Sequence, residues 1–325
     1  MTDTDKKPTK HRPMYPIYSE LYEQMRNVPR PTNGSITPKE YRENMDKIIS
    51  AALPLPEVIE EEKMIKYNGI AVKIYLYRPL GTENDILPAV IYYLGGGFVW
   101  GSKYTHGNPV HDICIKSHVA VVFVEYLMAP EFKYPTAHEE SYAAYCWLLE
   151  NGKEVNINPS KLVVCGDSAG GNLAATITLM AKERGTLDGI KSQILVYPWV
   201  ANNTKEFDSF QEFGQGDYPL NIEDVEYYDK TYFAPKDKTR LAFPLMATED
   251  ELRGLPPTIV FTAETDVLRD EGEEYARKLI KADVSVASVR VIAAPHGFFS
   301  TPVETPCYKL TLNIIHGQLE IFGRQ

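Results

Sequence analysis

Cysteine is scarce in this chain: the four present, Cys114, Cys146, Cys165 and Cys307, show no CxxC spacing. Three lie inside apolar runs, the placement of reduced, buried thiols in a cytoplasmic protein. No window approaches the ~20 uninterrupted apolar residues of a membrane span. Positive charge is in deficit, with 34 Lys and Arg against 44 Asp and Glu for a formal charge of −10. A nucleic-acid binder needs a basic surface to displace counterions from phosphates, so that class is not expected. No apolar stretch follows the polar, Lys-rich Met1–Arg12, so no secretory signal is expected, and no internal repeat or linker-like run is visible. What is there is ordinary globular composition: 44% hydrophobic, 11% aromatic and 24% charged over 325 residues, which suits one large α/β domain with an appendage.

Residues 1–55 are Pro-rich and carry two amphipathic helical stretches, Ile17–Met25 and Pro38–Ala52, the second opened by Thr37 as N-cap. From Ile65 onward the pattern turns to strands. Ala71–Tyr77 alternates like a half-buried antiparallel strand. Ala89–Leu94, Ala120–Val124, Leu162–Cys165, Ile194–Tyr197 and Thr258–Thr262 are short continuous apolar runs, as in parallel strands buried on both faces. Helical segments alternate with them at Pro109–Ser117, Ala137–Glu150, Asn172–Arg184 and Arg269–Lys281. Ser285–Ile292 supplies a last strand and Pro306–Ile321 a closing helix. The alternation predicts a mostly parallel sheet flanked by helices. Ala201–Leu255 interrupts it, acidic and aromatic, with one clear helix at Asn221–Phe233. An insertion of this size over such a sheet is usually functional. With the N-terminal helices it is expected to form a cap. The division is 1–55 (N-terminal cap helices), 56–200 (first part of the core), 201–255 (cap insertion) and 256–325 (second part of the core).

The strongest chemical signal is Gly166-Asp167-Ser168-Ala169-Gly170, a GxSxG that follows an apolar strand and opens an apolar helix. A Ser in this context occupies a strained strand-to-helix turn, where neighbouring backbone passes so closely that only glycine fits at 166 and 170. Upstream, Gly95-Gly96-Gly97 ends a buried strand, leaving backbone N–H groups free to face an anion. Beside an activated Ser, that loop reads as an oxyanion hole, completed by the N–H of Ala169. A phosphate loop does not fit, because its Lys-Ser/Thr ending is absent.

A Ser nucleophile needs a base, and the base needs a carboxylate to fix its tautomer. Of the seven histidines, His11 lies in the polar tail, and His138 and His316 lie in helical segments that suit packing or surface roles. His106 and His111 are close together but lack metal-ligand spacing with other donors. His296 follows the last strand, in the loop Ala294-Pro295-His296-Gly297-Phe298, and is the expected base. The acid should follow the preceding strand, where Glu264, Asp266, Asp270 and Glu271 are available. Asp266 sits where the chain leaves the strand, whereas Asp270 and Glu271 fall inside the helix. Phe98, Trp100, Tyr197, Trp199 and Phe213 are expected pocket walls.

Together, Gly95–Gly97, Gly166–Gly171, Glu125-Tyr126-Leu127-Met128-Ala129-Pro130-Glu131, Asp266–Gly272 and His296-Gly297-Phe298 resemble the hormone-sensitive-lipase-like branch of the α/β-hydrolases, in that family's order along the chain. The resemblance implies an α/β-hydrolase fold whose cap is built from the N-terminal helices and an insertion after the sixth strand. It implies Ser168 as nucleophile, Asp266 as acid and His296 as base, with the N–H groups of Gly96, Gly97 and Ala169 as oxyanion hole. It further implies a carboxylesterase of short to medium acyl esters that needs no metal or cofactor. Its partner is a small-molecule ester, and dimers through the last strand occur among such proteins. An amidase or deacetylase on the same residues is the alternative, and a non-catalytic small-molecule receptor a more distant one. Three positions depart from the family. Leu94 replaces a His that braces the glycine loop, Leu127 an Arg in the Tyr126–Glu131 segment, and Val267 a Pro after the acid. Packing of Leu94 and Phe98 against apolar neighbours is the expected substitute for the missing brace.

Overall fold

Buried apolar runs become the strands of one sheet. The computed structural model describes residues 12–50 and 54–323. Its strands are β1 (Ile59–Tyr67), β2 (Ile70–Arg78), β3 (Leu87–Tyr93), β4 (Ala120–Glu125), β5 (Ile157–Asp167), β6 (Ile190–Val196), β7 (Thr258–Thr265) and β8 (Val286–Pro295). They lie in the order β1-β2-β4-β3-β5-β6-β7-β8. β2 runs antiparallel to both β1 and β4, and every later pairing is parallel. This is the mostly parallel sheet that the alternation of strands and helices predicts, in keeping with the α/β-hydrolase fold that the family resemblance implies.

β1 is absent from the sequence reading for a physical reason. It is an edge strand whose Glu60, Glu61 and Glu62 are exposed and whose Ile65 is its only fully buried residue. Apolar alternation is therefore missing. The central strands read correctly because both faces are covered: Val90, Ile91, Val121, Val122, Val164 and Ile194 are all inaccessible to solvent.

The helices are α1 (Pro16–Met25), α2 (Pro38–Ser50), α3 (Gly107–Ser117), α4 (Thr136–Asn151), α5 (Ala169–Glu183), α6 (Asp208–Phe213), α7 (Ile222–Tyr232), α8 (Glu249–Leu252), α9 (Arg269–Lys281) and α10 (Pro306–Gly323). α3 packs on α10 and α4 on α5, so that the sheet is covered on its two faces. α2 opens with the expected cap. Thr37 Oγ1 accepts from the Glu40 N–H at 3.2 Å, and Glu40 answers by accepting from the Thr37 N–H at 3.0 Å. The expected end of this helix, Ala51-Ala52, and His11 lie outside the described residues.

The interval after β6 holds more helix than its sequence suggests: α6 and α8 besides α7, with 3-10 turns between them. α7 is launched by an Asn221–Asp224 capping box. Polar contacts tie this interval to the N-terminal segment. Arg12 Nε pairs with Glu212 at 2.9 Å, the Tyr22 hydroxyl donates to the Gly216 carbonyl at 2.6 Å, and Arg30 Nη1 donates to Asp224 at 3.2 Å. All four cysteines are free and buried. Among the described residues no helix is long and apolar enough to cross a membrane.

Candidate active site

The loops that leave β3, β5, β7 and β8 all emerge at the same end of the parallel sheet, and the four motifs meet there. At the end of β5, Ser168 adopts φ 55° and ψ −118°, a conformation an L-residue keeps only under constraint. The constraint is close packing. A Cβ on Gly170 would lie 1.9 Å from the Tyr93 carbonyl oxygen, and one on Gly166 would lie 2.2 Å from that of Gly170. Glycine is required at both positions. Backbone bonds pin the turn as well: Ser168 N–H donates to Val196 O at 2.9 Å, and Trp199 and Asn172 N–H both donate to Ser168 O.

β8 runs three residues beyond its expected end, to Pro295, which delivers His296 directly off the strand. His296 Nε2 lies 2.9 Å from Ser168 Oγ, and its Nδ1 lies 2.8 Å from Asp266 Oδ2. Asp266 is 1% exposed, and its other oxygen accepts from the Leu268 N–H at 3.0 Å, which fixes the carboxylate plane. The remaining carboxylates of this segment are committed elsewhere. Asp270 accepts from Ser209 N–H and Arg269, Glu271 from the N–H groups of Val200 and Ala201, and Glu264 from Ala293 N–H and Arg12.

The glycine loop stands opposite. Gly96 and Gly97 have φ of 105° and 61° and line the same cavity as Ser168 and His296. Among the described residues, the N–H groups of Gly96, Gly97 and Ala169 donate to no protein acceptor. Backbone N–H groups are almost always paired, so three idle donors around one serine are unusual.

Leu94 is fully buried, and hydrogen bonds as well as packing brace the loop it begins. The Tyr126 hydroxyl donates to the Leu94 carbonyl at 2.8 Å. Gly95 N–H donates to Asp167 Oδ1 at 3.2 Å and lies 3.3 Å from His106 Nε2. Asp167 also accepts from the Tyr92 hydroxyl at 2.9 Å. Burial opposes the Asp167 charge, but His106 and these hydrogen bonds outweigh it, and the carboxyl sits below the usual carboxylate range. The sequence by itself assigns Asp167 and His106 no part in the site: Asp167 is only the variable position of GxSxG, and nothing local shows that His106 folds back onto Gly95.

A cavity of about 390 Å³ opens above Ser168. Leu21, Met25 and Met45 from the N-terminal segment and Leu220, Val225 and Tyr228 from the interval after β6 give it largely apolar walls. Of the five expected wall residues, Trp100 and Trp199 line it. The other three pack behind it. Phe98 stacks on Tyr232 with centroids 4.2 Å apart, Tyr197 lies 4.8 Å from the His296 ring, and Phe213 packs on Tyr218 and Arg269. Tyr228 went unnoticed in the sequence, yet its ring sits so close to Gly97 that a Cβ there would come within 2.3 Å.

The other histidines fall outside this constellation. Burial pushes His138 down to about 3 despite its hydrogen bond with Asn172, so it stays neutral inside the aromatic cluster around Phe98. His111 contacts the Pro56 carbonyl, and His316 lies beside Glu320 on α10. Among the described residues no three His, Cys, Asp or Glu side chains converge as a metal site would require.

Comparison with known proteins agrees with this architecture. The model of a family described as having the alpha/beta hydrolase fold matches residues 90–300. A fungal esterase structure from Rhizomucor miehei superposes with a TM-score of 0.92 at 45% identity, covering 96% of this chain and 98% of that one. A carboxylesterase of Mycobacterium tuberculosis is 35% identical over 257 residues, 78% of this chain and 79% of its own length. An arylesterase of Saccharolobus solfataricus is 32% identical over 268 residues, 81% and 85% of the two chains.

Proposed function

The chain belongs to the hormone-sensitive-lipase-like branch of the alpha/beta hydrolases, and on that premise we propose that it is a carboxylesterase acting on short to medium acyl esters through Ser168, His296 and Asp266. The observation that carries the reading is the unbroken hydrogen-bonded chain from Ser168 Oγ through both ring nitrogens of His296 to Asp266, in a cavity also lined by Gly96 and Gly97, whose N–H groups, like that of Ala169, donate to no protein acceptor among the described residues. His296 Nε2 takes the Ser168 proton as Oγ attacks the ester carbonyl, while Asp266 holds the imidazole in the required tautomer and stabilises its cationic form. The N–H groups of Gly96, Gly97 and Ala169 receive the charge that develops on the carbonyl oxygen. His296 then protonates the departing alcohol. Water, activated by the same nitrogen, releases the acid from the acyl-enzyme.

The largely apolar walls suit an uncharged acyl or alcohol group of limited length, and the described part of the N-terminal segment together with residues 201–255 acts as the cap that sets the limit. A homodimer through β8, the last strand of the sheet, completes the reading. A series of p-nitrophenyl esters from acetate to palmitate, run beside Ser168→Ala, tests it. Turnover is expected to be fastest between acetate and octanoate and to vanish in Ser168→Ala with the fold intact. Faster hydrolysis of palmitate than of butyrate refutes the chain-length reading, and an active Ser168→Ala refutes the nucleophile.

A further inference from the structure

Three consecutive residues of the glycine loop have positive φ: Gly96 at 105°, Gly97 at 61° and Phe98 at 63°. The last is a bulky L-residue for which this region is unfavourable, so the segment keeps its shape only if its surroundings impose it. Its near end is held from the sheet, by Tyr126 on Leu94 and Asp167 on Gly95. Its far end is held by a residue of the N-terminal segment. Arg42, on α2, donates through Nε to the Val99 carbonyl at 2.7 Å and through Nη2 to the Ala129 carbonyl at 2.6 Å. Ala129 N–H in turn donates to the Phe98 carbonyl at 2.9 Å. Glu131 fixes the guanidinium plane by accepting from Nη1 at 3.1 Å and from Nη2 at 2.8 Å.

One planar fork therefore joins α2, the glycine loop and the Tyr126–Glu131 segment, through charge-assisted bonds of the stronger kind. Leu127, at the family's Arg position, takes no part in this. Its side chain is 43% exposed, and its N–H donates to Glu140. Arg42 is the cation that anchors the segment here, and it arrives from a helix distant in sequence. The Val99 carbonyl it grips lies two residues after Gly97. A shift there is transmitted to the two N–H groups whose direction matters, and misplacements of about 1 Å cost rate steeply.

We propose that Arg42 is a positioning residue for the oxyanion hole, which makes α2 a part of the catalytic scaffold and not only a wall of the cavity. This rests on the reading of Gly96 and Gly97 as oxyanion donors. The experiment compares Arg42→Met and Arg42→Lys with the parent in steady-state hydrolysis of p-nitrophenyl butyrate and in inhibition by an alkyl trifluoromethyl ketone. Attack by Ser168 Oγ on the ketone carbonyl creates an oxyanion that only an aligned hole stabilises. Arg42→Met is expected to lower kcat about tenfold or more with KM little changed, and to weaken the ketone by a similar factor. Arg42→Lys, able to keep one carbonyl bond, should recover part of both. A raised KM with unchanged kcat overturns the proposal, because Arg42 would then only shape the cavity. A fall in kcat without weaker ketone binding also overturns it. Should Arg42→Met not fold, Arg42→Lys alone must show the kcat-selective loss. Normal kinetics in the Arg42 variants alongside a dead Ser168→Ala remove this proposal and leave the esterase reading standing.

Discussion

Asp266 and Asp270 lie four positions apart, and their surroundings separate them. Asp266 is buried with one oxygen on His296 and the other on a backbone N–H, whereas Asp270 is spent on Arg269 and the Ser209 N–H. Asp266→Asn keeps the shape but presents an amide where the imidazole N–H needs an acceptor, which drives the ring toward the wrong tautomer. The expected loss in kcat is about 10⁴-fold. Asp270→Asn is expected to leave kcat within severalfold of the parent and to lower thermal stability. Steady-state kinetics and melting curves on both variants check this, and the opposite pattern would move the acid from 266 to 270.

At the scale of elements, Glu271 joins α9 to the chain leaving β6. Its carboxylate accepts from Val200 N–H at 2.7 Å and Ala201 N–H at 3.0 Å, where the interval after β6 departs from the sheet. Burial, reinforced by the neighbouring Asp266 charge, raises its pKa from an ordinary 4.5 to about 8, although hydrogen bonds to the carboxylate oppose the rise. The folded protein thus holds a proton that the unfolded chain releases near 4.5. The associated stability is present in full below that pH and is lost as pH rises through about 8. Glu271→Gln cannot ionise. Its melting temperature relative to the parent is expected to rise between pH 6 and pH 9. Thermal melts across that interval check it, and a constant difference would mean that Glu271 titrates outside this range.

For the whole molecule, assembly turns on β8, which among the described residues pairs as a strand with β7 alone and, near its end, accepts the Tyr15 N–H on the Ala293 carbonyl at 2.8 Å, so that its edge is least covered over its earlier residues. An open edge is a template for another strand unless it is blocked. β8 carries Arg290 but also Ile292, which is 63% exposed. The proposed dimer pairs two such edges across a two-fold axis. Light scattering behind size exclusion is expected to give about twice the 36.7 kDa of one chain, and Ile292→Lys is expected to shift the equilibrium toward the monomer. A single-chain mass for the parent at micromolar concentration removes the dimer.

The sequence by itself determined the features whose cause is local. Central strands appear as continuous apolar runs because helices cover both faces, and the turn at Ser168 is written in Gly166 and Gly170 because no other residue fits there. The positions of Ser168, Asp266 and His296 at the ends of their strands were legible because each directly follows a strand or motif of its own, and the fold brings the three within hydrogen-bond reach. Tertiary structure alone decided what depends on distant segments meeting. Exposed edge strand β1 carries no apolar alternation to announce it. Whether an aromatic faces the cavity or the core depends on what packs behind it, so Trp100 and Trp199 line the cavity while Phe98, Tyr197 and Phe213 do not. His106, Asp167 and Arg42 act on a loop that none of them adjoins in sequence. Their bonds to Gly95 and Val99 exist only once the sheet has brought β3 beside β5 and α2 has settled against the loop. Short-range sterics are written residue by residue along the chain; long-range hydrogen bonds depend on closure of the whole fold, and no local pattern encodes them.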